Sequence, residues 1–135
     1  MIRRRHLGKD AGGIAAVEFA LALPVLLGLI VGATQLGMLY FANADLRNAV
    51  AAGARLASIY PRPDDAAVIA QINARVTRLD SHFVVGPTVA RGSISGRAYA
   101  DIEMRYAVPL DFIIFRTPPV TLVEARRVFT QPEAS

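Results

Sequence analysis

The sequence predicts an α+β chain: a long N-terminal transmembrane helix followed by a short helix packed on a small antiparallel β-sheet. Three observations predict it. Residues 14–41, IAAVEFALALPVLLGLIVGATQLGMLYF, carry a single charged side chain, Glu18. Residues 43–60 and 64–79 repeat apolar side chains at three- and four-residue spacing, the period of an amphipathic helix. Residues 98–108, AYADIEMRYAV, alternate strictly, the period of a half-buried strand.

Taken in order, residues 1–13 form a basic leader with Arg3, Arg4, Arg5 and Lys9. Those cations flank the apolar run on its N-terminal side, so the positive-inside rule places the N-terminus in the cytoplasm. As a helix, residues 14–41 extend about 42 Å, ample for a hydrocarbon core of about 30 Å. Pro24 lies inside the run. A membrane helix can re-satisfy the carbonyl that proline frees, so Pro24 reads as a kink and not a stop. Tyr40 suits the far interface.

Residues 42–60 continue the helix outside the membrane. Leu46, Ala49, Val50, Gly53, Leu56, Ala57 and Tyr60 form one face, with Arg47, Asn48, Arg55 and Ser58 opposite. The segment YPRP, 60–63, ends it, because a residue preceding proline is disfavoured in the helical region. Residues 62–135 then read as an extracytoplasmic α+β domain, expected to fold without the anchor. Its helix is expected from about 64 to about 80, opened by Asp64 and Asp65, with Val68, Ile69, Ile72, Val76 and Leu79 inward. A short strand is expected within 82–95. Strand 98–108 directs Ala100, Ile102, Met104, Tyr106 and Val108 to one face and Asp101, Glu103 and Arg105 to the other. An apolar loop, 109–119, with one helical turn, leads to a last strand, 120–129.

Composition excludes several functions. The chain has 135 residues, no cysteine and two histidines, His6 and His82, far apart. Disulfides, thiolate catalysis and cysteine metal sites are therefore excluded, and no histidine pair has metal-ligand spacing. No nucleophile elbow, P-loop or dinucleotide fingerprint is present. The expectation is a protein that is not an enzyme, with no cofactor, no metal and no small-molecule substrate. The formal charge is +4, but most of that excess sits in the first 13 residues. Nucleic-acid binding needs a basic patch on the folded part, so none is expected.

Glu18 raises the sharper question. Ionisable groups inside a membrane segment are costly and usually have a partner. A cut after Gly13 would leave Ile14 as a new N-terminus, with Glu18 as the fifth residue. In a bundle of parallel helices, one chain's Glu18 could meet the next chain's amine and set the register between subunits. A basic leader, a glycine at the cut and a glutamate five residues on resemble type IV prepilins. The segments GIAAVEFALALPVLLGLIVGATQLG and LRNAVAAGARLAS, with the late strands DIEMRYAVPL and VTLVEARRVF, resemble more closely the TadE-like minor pseudopilins of Tad (Flp) pilus systems.

That resemblance implies a single-pass inner-membrane protein with a periplasmic domain and a structural role in assembling a Flp-type, type IVb pilus or a related secretion apparatus. It implies a prepilin-type leader cut between Gly13 and Ile14 by a prepilin peptidase. Its implied partners are the membrane, other pseudopilins and pilins, and the inner-membrane assembly platform of the Tad system. Glu18 and Phe19 would set subunit register. Major Flp pilins commonly have Glu-Tyr after the cut, so Glu18–Phe19 and the sizeable C-terminal domain point away from the main pilus subunit.

Simpler readings stand beside these. Glu18 could be a carboxylate that reaches water at the membrane edge. Gly28 and Gly32 form a G-x-x-x-G pair able to bring helices close, as such pairs also arise by chance. Asp64–Asp65 reads as helix-start electrostatics, and Arg126–Arg127 and Asp101/Glu103 as solvated strand faces. Three rival classes remain: an uncleaved, signal-anchored periplasmic interaction protein unrelated to pili, an exported protein cut at AGA, 52–54, and a membrane-tethered enzyme.

Overall fold

The computed structural model describes residues 11–76, 78–110, 112 and 117–130. Helix α1 spans Ala11–Ala57 without interruption, and Pro24 lies inside it. At about 1.5 Å per residue it is about 70 Å long. Helix α2 spans Asp65–Asn73, and a 3-10 turn covers Ser81–Phe83. Three strands follow: β1 (Val84–Ile94), β2 (Arg97–Val108) and β3 (Val120–Phe129). They form one antiparallel sheet in the order β1-β2-β3. The expected fold class, a long apolar helix with a short helix on a small antiparallel sheet, is the one observed. Residues 1–10 of the expected leader 1–13 lie outside the described residues, as do 111 and 113–116 of the loop expected at 109–119.

The central strand β2 behaves as its alternation predicts. Ala100, Ile102, Met104, Tyr106 and Val108 are buried. They face α1 and α2, which cover one side of the sheet. From α1 come Ala42, Leu46, Ala49, Val50, Ala54 and Ala57, and from α2 Val68 and Ile72. The core therefore crosses the division at residue 60. The helix segment 42–57 is a wall of the domain and not a stalk beneath it. Arg47, Asn48, Arg55 and Ser58 lie on its exposed side, as the spacing predicts.

Two boundaries differ from expectation. The periodicity carried α2 to about residue 80, but the helix ends at Asn73. Beyond it the amides of Arg75 and Val76 bond three residues back, to Ile72 and Asn73, which tightens the chain out of the α-helix. Val76 and Leu79 still pack against the core from this turn, so the apolar spacing reported burial and not continued helix. In the other direction, β1 is longer than the short strand expected. Its ladder slips between Val85 and Thr88, at Gly86, whose φ of +97° favours glycine. The following Pro87 is tolerated because β1 is an edge strand. Sheet pairing runs on both sides of this bulge.

Gly53 shows how closely the two helices approach. A Cβ built there would lie 2.4 Å from Cγ1 and 2.6 Å from Cδ1 of Ile72. Ile72 is fully buried and has nowhere to swing. Gly53→Ala is therefore expected to destabilise the domain by about 1–3 kcal/mol, the usual cost of overpacking, despite alanine's better helix propensity. Chemical denaturation of the wild-type and variant protein checks this. Equal or greater stability in the variant would mean that the α1–α2 contact is looser than described.

Candidate functional site

The feature that stands out is unburied apolar surface. From Gly13 through Ile30 every side chain of α1 is exposed, and Ala42 is the first fully buried one. Ile14 is 71% and Leu21 74% exposed, and Phe19, Leu29 and Leu36 are similar. A monomeric soluble protein rarely shows so large a contiguous apolar surface. The helix is long and apolar enough to cross a membrane, with a mean hydropathy of 2.5 in its most apolar window and none of that window buried. Its polar groups are placed accordingly. Thr34 donates its hydroxyl to the Ile30 carbonyl at 2.9 Å, which satisfies it without water.

Glu18 is exposed on this helix. Gly13, Ile14, Val17, Glu18 and Leu21 line one shallow face, so Glu18 stands one turn beyond Ile14 on the same side. Phe19 projects next to it, also exposed. Gly28, Gly32 and Gly37 have no neighbouring atom within 4 Å of a built Cβ. Their backbone is open to any helix that approaches from another chain. Arg3, Arg4, Arg5 and Lys9 lie outside the described residues.

The domain end of α1 is clamped by polar contacts that periodicity did not reveal. Arg47 Nε lies 3.5 Å from Glu124 Oε2 on β3. Arg91 on β1 pairs through Nε with Asp65, and its Nη2 donates to the Pro63 carbonyl at 2.9 Å. Asp64, expected at a helix start, is the N-cap of α2, accepting from the Ala67 amide at 2.8 Å. Asp64 and Asp65 thus both have structural work. On the outer sheet face, Arg127 pairs with Asp101 through two bonds of 2.7 Å and lies 4.3 Å above the Tyr99 ring. The Arg127 hydrogen bonds hold the Asp101 carboxyl below the usual carboxylate range, opposed by slight desolvation. Both side chains remain substantially solvated, as expected for a strand face. These pairs join residues far apart in sequence, and only the register of Asp101 opposite Arg127 brings the last one together. Among the described residues no group of three or more His, Asp or Glu side chains is placed to hold a metal ion.

An exposed, membrane-length helix that ends inside the core of a small α+β domain fits a single-pass membrane protein. Residues 13–55, about a third of the chain, match the TadE-like protein family, the family the sequence resembles. The match follows α1 almost from end to end and stops before α2 and the sheet. Comparison with curated proteins and with solved structures found no match.

Proposed function

We propose that this chain is a minor pseudopilin that helps to assemble a Flp-type (Tad) type IVb pilus or a related secretion apparatus. It acts by association and not by catalysis. The observation that carries the reading is the coincidence of two extents: the TadE-like match covers 13–55, and from Gly13 to Ile30 the helix leaves its apolar surface unpartnered among the described residues. In the bilayer, lipid covers that surface. On assembly, the helices of other pseudopilins and pilins cover it, with Gly28 and Gly32 able to admit a neighbour closely. The N-terminus lies in the cytoplasm and the domain in the periplasm, at the inner membrane. The partners are a prepilin peptidase and the Tad assembly platform, with no nucleic acid and no small-molecule substrate.

The continuity of α1 supports this role. One helix runs from the apolar surface into the core, so any displacement of the helix carries the domain with it. The same packing argues against a signal-peptidase cut at AGA, 52–54. Such a cut would remove Leu46, Ala49 and Val50, all of them fully buried.

Cleavage between Gly13 and Ile14 is the expected outcome in the native membrane. N-terminal sequencing of the purified protein checks it. A start at Ile14 supports the pseudopilin reading. A start at Met1 would favour the uncleaved, signal-anchored interaction protein, and one near Arg55 would show export and release.

A further inference from the structure

A groove of about 510 Å³ opens where α1 meets the end of the sheet. Its apolar walls include Met38 and Phe41 from α1, Leu79 from the turn after α2, and Val108 and Pro109 from the end of β2. Asp45 and Arg78 also line it, and they form no ion pair among the described residues. Its depth relative to a bilayer follows from the helix. If Glu18 marks one edge of a hydrocarbon core of about 30 Å, the other edge falls about 20 residues later, at Met38. Met38–Asp45 then passes through the adjoining headgroup layer, and the groove lies at that level. An apolar trough beside a guanidinium that has no ion pair among the described residues fits one kind of occupant there: a phospholipid, with its glycerol and upper acyl carbons in the trough and its phosphate at Arg78. A guanidinium offers paired donors to phosphate oxygens.

We propose that this groove seats an anionic phospholipid of the leaflet on the domain's side, with Arg78 holding its phosphate. The bilayer would then grip the chain twice, along the span and at the foot of the domain, which limits tilting of the domain against the membrane. The proposal rests on α1 spanning the bilayer and not on pilus assembly, so it stands or falls separately from the cleavage test above.

The chain contains no tryptophan, so one introduced indole reports alone. Full-length Pro109→Trp and, as a remote control, Arg97→Trp are reconstituted in phosphatidylglycerol nanodiscs that carry headgroup spin-labelled lipid. Position 97 lies at the opposite end of β2, about 35 Å from the groove. Quenching at 109 is expected to exceed that at 97 by about threefold or more, since position 97 stands about 35 Å farther along the strand from the labelled headgroups. Adding Arg78→Gln is expected to reduce quenching at 109 at least by half, and Arg78→Lys to preserve most of it. Circular dichroism of each variant confirms that the fold is kept. Equal quenching at 109 and 97, or quenching at 109 indifferent to Arg78→Gln, would overturn the proposal. So would quenching that disappears when two copies share a nanodisc, since another protein chain would then occupy the groove.

Discussion

A fragment spanning residues 62–135, which the sequence alone predicts to fold, is instead expected to stay unfolded, whereas residues 39–135 fold cooperatively. The shorter fragment keeps all three strands and α2 but loses Leu46, Ala49, Val50, Ala54 and Ala57, all buried against the sheet or α2. It also uncovers the residues they face, among them Ile102 and Met104, which are at most 1% exposed. Burying a side chain of the Leu or Val class contributes about 1.5–3 kcal/mol. Losing several at once equals or exceeds the about 5–15 kcal/mol by which a whole domain is stable. The nine-residue α2 supplies only Val68 and Ile72 to the buried core, too little to replace that cover. Circular dichroism melts and amide dispersion in NMR spectra check both fragments. Within residues 39–135, Leu46→Ala is expected to cost about 2–5 kcal/mol, since its site is closed on all sides. A dispersed spectrum and a cooperative melt for residues 62–135 would show that α1 decorates the domain without completing it.

Glu18→Gln is expected to leave leader cleavage intact and to abolish assembly. On the proposed reading the cut depends on the leader and Gly13, whereas the carboxylate matters only once the amine at Ile14 is free. On that reading the amine and the carboxylate would share a poorly solvated place, where an unpartnered polar group is costly. Removing one partner of a buried pair typically costs about 3–5 kcal/mol, with headgroup water lowering that figure at the membrane edge. Even about 3 kcal/mol per subunit contact is a factor of about 100 or more in its equilibrium. Glu18→Asp, one methylene shorter, is expected to be partly defective. Because Glu18 and Ile14 share a helix face, a pair within one chain competes with a pair between chains. Crosslinking to other pseudopilins distinguishes them, since only the pair between chains ties the variant's defect to lost contacts. Each variant is expressed in the native host, cleavage is followed by size shift, and pili and crosslinks are scored. Normal pili and crosslinks with Glu18→Gln would make the carboxylate a passenger.

Much of the fold was legible because its signals are local. An apolar run with one charge needs no tertiary information to be read as a membrane-length helix. The strict alternation in 98–108 named the five inward residues of β2, and each is buried. Asp64 announced the start of α2 through a bond to its own helix. Legibility failed where a local signal has two causes. Val76 and Leu79 keep helical spacing yet lie on a turn, because the core needs their side chains and not a helical backbone. The strand expected to be short within 82–95 is long, because a bulge on an edge strand absorbs Gly86 and Pro87. At the candidate site, the exposure of Gly13–Ile30 and of Glu18 followed from composition, whereas the groove at Arg78 had no sequence signal. Its walls come from residues 38–45, 78–79 and 106–109, and no period links them.

The sequence by itself determined which segments are helix and strand, which face of each is apolar, and where a membrane-length helix lies. Periodicity and hydropathy are properties of neighbouring residues, and neighbours are what a sequence displays. Only the tertiary structure decided that residues 42–57 belong to the domain's core, that Gly53 receives Ile72, that Arg47 and Arg91 tie the helices to the sheet, and that a groove opens where the helix leaves its apolar stretch. Those facts depend on which surfaces meet. Two apolar faces of similar size can pair in several ways with similar burial, and the choice among them rests on shape, register and a few charge pairs between residues distant along the chain.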